Sequence, residues 1–337
     1  MNLLVTGATG FLGKHLVQKL LQEGHKLILF VRQKAKAQKV FGELLTNSAS
    51  ISFLEGTLTE ESLEQIPQVD AIIHSAAYLS FDPAQQTETY QTNVIGTKAL
   101  LERAKALGSP KFFYISTAFT LGEELDGHEQ LYSTDRRFVN EYERTKCIAE
   151  HLVCEYSTHF PTSIIRPSII IGDSKTGEAN TTFGLYGLLR AADIFRRRLS
   201  RSQGWDAQTQ TLLCDPAVTA NLVPVDYVAD VVATALQHGQ ANTIYNVTNP
   251  NPPRQGDIFE LIKERLSFPN LQIRPFSYAG PLTPESQQFN SPLSVFKSYW
   301  HRSIRFDSTH TKEMLAKAGK QELDLDLATL RFIIQSY

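Results

Sequence analysis

The sequence predicts an α/β fold: a doubly wound parallel sheet carrying a small C-terminal substrate cap. Three observations predict it. Short apolar runs alternate with helix-like stretches through the first half of the 337 residues. A glycine loop joins the first such run to the first helix. After about residue 172 the alternation weakens, so the second half reads as a cap grafted onto the last strands. The division expected is a core over 1–172 and a mixed cap over 173–337 whose strands and helices return to the core. A chain of this length can bury a full core.

The elements follow in order. Residues 2–5 form a buried strand, and 14–23 a helix with Leu16, Val17, Leu20 and Leu21 on one apolar face. Residues 26–31, 51–54 and 71–74 are the next strands. A long helix runs over about 83–107 and stops at Gly108, with Pro110 beyond. Residues 111–116 form a fifth strand, 141–156 a helix and 163–166 a sixth strand. Right-handed crossovers put helices on both faces of the sheet. In the second half, 222–225 and 244–247 read as strands around a helix at 227–237. Pro250, Pro252 and Pro253 mark a turn-rich stretch. Residues 257–266 are helical, about 269–292 irregular, and a terminal helix lies near 325–335.

Composition narrows the function. A formal charge of −2 gives no reason to expect nucleic acid as a partner. No uninterrupted apolar run is long enough for a membrane span, and Met1 leads directly into the first strand with no signal peptide. Cys147, Cys154 and Cys214 cannot all pair and lack metal spacing. Cys147 and Cys154, on one predicted helix, are expected as buried small apolar residues. The expected setting is reducing and cytoplasmic, with no metal.

Three glycines sit at the first strand-to-helix turn, in Thr6-Gly7-Ala8-Thr9-Gly10-Phe11-Leu12-Gly13. Gly7 allows a tight turn, Gly10 lets backbone approach a pyrophosphate, and Gly13 lets the helix pack on the sheet. The helix N-terminus then presents free N–H groups to the anion. A dinucleotide is the cofactor expected. Its type is read at the end of the second strand, Leu29-Phe30-Val31-Arg32-Gln33-Lys34. An NAD site places an acid there for the ribose hydroxyls, and this strand end has none. Arg32 suits a ribose 2′-phosphate, with Lys34 or Lys36 adding charge, so NADP(H) is expected.

Tyr142 and Lys146 lie one helical turn apart and point the same way. A lysine cation beside a phenol lowers its pKa, which makes Tyr142 a proton donor to a carbonyl oxygen. The fifth strand ends at Ser116-Thr117, where a hydroxyl can bond the developing alkoxide. Asn93 lies inside the long helix, where asparagine is a poor helix former. A buried structural hydrogen bond explains it as well as a proton relay does.

Together these motifs resemble the extended short-chain dehydrogenase/reductase superfamily over roughly residues 2–252. The resemblance rests on the glycine loop, His74-Ser-Ala-Ala77, Asn93-Val-Ile-Gly-Thr97, Ser116-Thr117, the Tyr142/Lys146 pair and Arg166-Pro167. Within it the chain is most similar to the fatty acyl-CoA reductase and thioester reductase branch, the male-sterility-like NAD-binding group. Val31-Arg32, Phe81-Asp82, Tyr114-Ile-Ser-Thr-Ala118, Arg166-Pro-Ser168, Leu222-Val-Pro-Val-Asp226 and Tyr245-Asn-Val-Thr-Asn249 carry that likeness.

The resemblance implies a Rossmann sheet and assigns roles. Gly7, Thr9, Gly10, Phe11, Leu12 and Gly13 would hold the cofactor, the glycines at its phosphates. Arg32 would hold the 2′-phosphate. Thr57 and Leu58 would border the adenine, although an aspartate usually stands where Thr57 is. Ala76 and Ala77 would line the adenosine side, and Pro167 and Ser168 the nicotinamide. Lys146 would bind the nicotinamide ribose as well as tune Tyr142. The match favours Thr117 over Ser116 as the catalytic hydroxyl.

The substrate side rests on fewer residues. Tyr78, Leu79, Phe81 and Phe119 follow strand ends where such sheets bind ligands. Phe183, Tyr186, Leu188 and Leu189 read either as an apolar acyl channel or as ordinary cap core. Arg190, Arg196, Arg197, Arg198 and Arg201 form either a solvated face or a contact for CoA phosphates or an acyl carrier protein. The function expected is NADP(H)-dependent reduction of a small-molecule carbonyl, in this branch an acyl thioester, to aldehyde or alcohol. A plain aldehyde or ketone reductase fits the same residues. An NAD-dependent nucleotide-sugar epimerase or dehydratase is a third reading, against which the missing acid argues. A non-catalytic NADP-sensing protein is a fourth.

Overall fold

Strands that are apolar on both faces can only lie in the middle of a covered sheet, and the central ones here are of that kind. Leu3, Leu4 and Val5, then Ala71, Ile72 and Ile73, then Phe112 to Ile115, are all buried. In the computed structural model, which describes residues 1–45, 50–108 and 110–337, they form a seven-stranded Rossmann-like sheet. Its strands are β1 (Asn2–Thr6), β2 (Lys26–Val31), β3 (Ile51–Glu55), β4 (Ala71–His74), β5 (Lys111–Ile115), β6 (Thr162–Pro167) and β7 (Thr243–Val247). The order across the sheet is β7-β6-β5-β4-β1-β2-β3, and every neighbouring pair is parallel. The reversal of order beside β1 is the point where such sheets bind ligands at the carboxyl ends of their strands.

Three helices matter for the site. α1 (Phe11–Gln22) leaves the glycine loop with Leu12, Leu16, Val17 and Leu20 buried. α2 (Gly96–Ala106) continues a segment expected as one uniform helix. Here it is composite: a 3₁₀ turn at Pro83–Gln85, an α-helix at Gln86–Tyr90 and a π turn at Gln91–Ile95 precede it. Such π turns mark places where a side chain interrupts regular helix bonding, and Asn93 sits inside this one. α3 (Glu141–Glu155) starts at the Asn140 cap, whose side chain accepts from the Glu143 N–H.

The chain groups into two compact units that interleave in sequence. The first comprises 1–168, 225–248 and 306–322, and the second 169–224, 249–305 and 323–337. The reason is the last sheet strand: β7 pairs with β6, which returns 225–248 to the first unit. There the helix Val225–His238 packs against α1, and Asp230 accepts ion pairs from Lys19 and Lys320, each at 2.7 Å.

The second unit is built on two parallel strand pairs, Leu222–Pro224 with Ile169–Ile171 and Leu271–Arg274 with Gln210–Leu213. Its core holds Tyr186, Leu188, Leu189, Phe195, Ile262 and Ile333. Two elements fall where irregular chain was expected, the strand Leu271–Arg274 and the helix Pro284–Leu293. The helices Leu185–Leu199 and Thr309–Lys317 were also not anticipated. In the first of these, apolar residues at 185, 188, 189, 192 and 195 form a helical stripe beside a run of arginines.

Candidate active site

The glycine loop is fixed by close packing. Gly7 has φ 71°, and a Cβ there would lie 2.6 Å from the Ala76 nitrogen and from Ser75 backbone carbon. A Cβ on Gly13 would overlap the Gly7 carbonyl oxygen. Gly10 is the N-cap of α1, with no side chain capping the first turn and no acid in it. That leaves the first-turn N–H groups open to an anion. Thr9 and Phe11 are half-buried in the loop and Leu12 is buried under it.

A buried histidine ties the loop to its neighbours. His74 Nδ1 lies 2.7 Å from Thr6 Oγ1, and Nε2 lies 3.0 Å from Thr97 Oγ1. The Ala76 N–H donates to Thr6 Oγ1 at 3.1 Å, and the Thr97 hydroxyl donates to the Asn93 carbonyl at 2.7 Å. Each donor finds one acceptor if His74 is neutral and carries its proton on Nε2. Burial, with Lys146 adding to it, pushes its pKa down to about 3.

Arg32 is exposed at the end of β2. Thr57 is exposed and Leu58 half-buried after β3, Leu58 packing against Gly96 of α2. Glu55, at the end of β3, accepts the Lys34 backbone N–H at 2.8 Å. Ala76 is half-buried and Ala77 exposed after β4. Pro167 ends β6, and the buried Ser168 hydroxyl has no hydrogen-bond partner among the described residues. A cradle closed to any Cβ, an uncapped helix start and an orphaned buried hydroxyl fit a dinucleotide lying along these strand ends.

At the end of β5 the two adjacent hydroxyls part company. Ser116 donates to Glu150 at 2.6 Å. Thr117 Oγ1 accepts the Phe119 N–H at 3.3 Å, which leaves its own proton available. Lys146 Nζ reaches the same strand end, donating to the Ile115 carbonyl at 2.6 Å and lying 4.3 Å over the Tyr114 ring. Burial pushes the Lys146 pKa down to about 7, with Glu150 opposing. Tyr142 is half-buried, and no hydrogen bond reaches its phenol oxygen among the described residues. One expectation is corrected here. Burial, and Glu143 after it, push the Tyr142 phenol above its ordinary pKa. Lys146 does not offset that rise, and its Nζ donates to the Ile115 carbonyl.

Asn93 uses its side chain structurally. Its Oδ1 accepts the Tyr78 N–H at 2.7 Å, and its Nδ2 donates to the Tyr78 carbonyl and to Thr145 Oγ1, each at 3.1 Å. Tyr142 is not among its side-chain partners. One further expectation changes. Cys154 is exposed, although Cys147 is buried. Tyr186, Leu188 and Leu189 belong to the core of the second unit, while Phe183 is exposed. Among the arginines, Arg196 and Arg197 both pair with Asp193, and Arg198 donates to Gln288.

Sequence reasoning gave no role to Glu150, which is fully buried and receives Arg166 through Nε at 2.8 Å and Nη2 at 2.6 Å. The signal was present: Glu150 stands one turn beyond Lys146 on the same helix, a charge on a face that must be buried.

The profile of the NAD-binding family described as male sterility protein matches residues 5–232. The chain belongs to that family. It is thereby an extended short-chain dehydrogenase/reductase of NAD(P)-binding type. Sterol demethylase protein B of Methylococcus capsulatus (strain ATCC 33009 / NCIMB 11132 / Bath) is 29% identical over 51% of this chain and 52% of its own. The non-canonical nonribosomal peptide synthetase cpsA of Aspergillus campestris (strain IBT 28561) is 29% identical over 97% of this chain and 34% of its own. Fatty acyl-CoA reductase 1 of Gallus gallus is 27% identical over 73% of this chain and 56% of its own. This family member therefore spans between about a third and just over half the length of those relatives. Its fold is shared with the terminal R domain of the myxalamid PKS-NRPS pathway, at TM-score 0.76 and 22% identity over 100% of this chain and 89% of that one. It is also shared with a thiolation-reductase di-domain from an archaeal nonribosomal peptide synthetase, at TM-score 0.77 and 18% identity over 98% and 74%.

Proposed function

We propose that this protein is an NADP(H)-dependent reductase that takes an acyl thioester, carried on CoA or on an acyl carrier protein, to the aldehyde or alcohol. One observation carries the reading. At the end of β5 the Thr117 hydroxyl keeps its proton free while Ser116 is tied to Glu150, and Lys146 reaches the same strand end.

A bound nicotinamide would supply one hydride to the carbonyl carbon, enough to reach the aldehyde, and the alcohol would take a second hydride from a second NADPH. Thr117 donates a hydrogen bond to the oxygen as negative charge develops on it. Tyr142 gives that oxygen its proton, or gives it to the departing thiolate when the C–S bond breaks and aldehyde forms. A raised phenol pKa keeps Tyr142 protonated until that moment. Lys146 donates one N–H to Ile115 and has two more for the nicotinamide ribose hydroxyls. Gly7, Thr9, Gly10, Phe11, Leu12 and Gly13 form the phosphate cradle. Arg32 would hold the 2′-phosphate, with Thr57 and Leu58 beside the adenine, Ala76 and Ala77 along the adenosine, and Pro167 and Ser168 at the nicotinamide. Asn93 holds Tyr78 in place in this reading.

Support for a thioester comes from the family and from the relatives named as acyl-CoA reductase, R domain and thiolation-reductase di-domain. A plain aldehyde or ketone reductase is the second reading. The observation favouring it is that Arg196 and Arg197 already have a partner in Asp193, which leaves less charge for a phosphorylated handle. The test follows NADPH oxidation at a fixed pH with an acyl-CoA, the same acyl group on a carrier protein, and the matching aldehyde. Turnover of either thioester supports the first reading. Turnover of the aldehyde alone supports the second, and no turnover of any carbonyl overturns both.

A further inference from the structure

We propose that Glu150 is a positioning residue that keeps the buried Lys146 ammonium charged, with Arg166 holding its carboxylate in place. The inference rests on the reading above that Lys146 works as a cation.

The geometry is that of a dry, braced charge. Lys146 and Glu150 are one turn apart on α3 and are 2% and 0% exposed. Both carboxylate oxygens are engaged: Oε1 by Ser116 Oγ at 2.6 Å and Arg166 Nε at 2.8 Å, Oε2 by Arg166 Nη2 at 2.6 Å. Arg166 is braced in turn by the carbonyls of His128 and Gln130 at 3.0 and 2.9 Å, and its guanidinium lies 4.9 Å from the Tyr132 ring centroid. This is more scaffolding than two charges need merely to cancel. A buried ion pair is weak evidence for stability, since a well-packed apolar pair can replace it.

The groups facing Lys146 leave Glu150 as its anion. From β5 come the Tyr114 ring and the Ile115 carbonyl, an induced and a partial charge. From β4 comes His74, which is neutral and which Lys146 itself helps to keep so. From α3 come Tyr142, a neutral phenol with a raised pKa, and Glu150. Arg166, on β6, is balanced by Glu150. Among the titratable groups here Glu150 is the one that carries a negative charge, and it opposes the effect of burial on Lys146.

The experiment measures NADPH affinity by fluorescence from pH 6.5 to 9.5, without substrate. Wild-type affinity falls as pH rises beyond about 7, where the free protein's Lys146 loses its proton. In Glu150→Gln the gap from wild type widens with pH and reaches about tenfold at pH 8, the effect of a pKa lower by about one unit. Glu150→Gln leaves Arg166 unpaired and can lower stability, so Glu150→Gln/Arg166→Met removes both charges together. The double variant, which also removes the positive charge of Arg166, narrows that gap without closing it. Ser116→Ala, which keeps both charges, follows the wild-type profile. Lys146→Met is flat over this range. If a folded Glu150 variant follows the wild-type profile, the pair is structural and the inference is overturned. If Lys146→Met binds and turns over like wild type, the reading of Lys146 itself has failed instead.

Discussion

Ser116 donates its hydroxyl to Glu150 across 2.6 Å, which leaves its neighbour Thr117 as the hydroxyl with a proton to give at the end of β5. Substitutions separate the two. Thr117→Val lowers turnover about 10²-fold, as loss of one oxyanion donor does, and leaves NADPH affinity near wild type. Ser116→Ala lowers stability by about 1–3 kcal/mol because a buried carboxylate loses a partner, and turnover changes little. Steady-state kinetics with denaturant melts check both. The reverse pattern would make Ser116 the catalytic hydroxyl.

Tyr142→Phe removes one oxygen that accepts no hydrogen bond among the described residues, so the fold should not notice it. Turnover falls by roughly 10²- to 10⁴-fold as the proton donor is lost, with cofactor affinity unchanged. Full activity on a verified substrate would remove Tyr142 from the mechanism.

Arg32 is exposed, at the end of a strand without an acid. NADPH binds at least tenfold more tightly than NADH, about 1.4 kcal/mol, and Arg32→Ala erases most of the difference. Isothermal titration with both cofactors decides it. Equal wild-type affinities would dissociate Arg32 from the 2′-phosphate.

The arginines of the helix Leu185–Leu199 test the thioester handle. Arg197→Glu/Arg198→Glu raises KM for a CoA- or carrier-linked substrate and barely changes it for the free aldehyde. Added salt weakens the thioester more than the aldehyde, since exposed charge contacts are screened. If both substrates respond alike, the run is a solvated surface whose position at a helix C-terminus suits the dipole.

The sheet was legible because its signals are local. Leu3-Leu4-Val5 and Phe112-Phe113-Tyr114-Ile115 are apolar runs too short for helices, Gly7 turns the loop at φ 71°, and Gly13 is required by contacts within the loop itself. The second unit was less legible for the opposite reason. Leu271–Arg274 is a strand only by pairing with Gln210–Leu213, about sixty residues away. The π turn at Asn93 depends on Tyr78 and Thr145, and Glu150 depends on Arg166 and Ser116. Residue types announced polar chemistry at those positions, and only the fold supplied the partners.

His74 makes stability depend on pH in a calculable direction. Its folded pKa of about 3 lies below the ordinary 6.5, because burial disfavours the imidazolium and Lys146 repels it. The unfolded chain therefore binds a proton that the folded one refuses. The stabilisation is fully present above about pH 6.5 and is lost as pH falls from there towards 3. The limiting slope is about 1.4 kcal/mol per pH unit for one proton. Other groups titrate in the same range, so the readout is the difference between wild type and His74→Gln in urea unfolding at pH 7.5, 6.0 and 5.0. The variant loses hydrogen bonds to Thr6 and Thr97 and is less stable at pH 7.5. Its disadvantage shrinks as pH falls, because it has no imidazole to protonate. The same chain holds Ala76 against the glycine loop through Thr6, and because His74 stays neutral in the folded protein its titration should leave NADPH affinity unchanged between pH 7.5 and 5.0. A disadvantage that stays constant from pH 7.5 to 5.0 would mean that His74 accepts its proton in the folded protein.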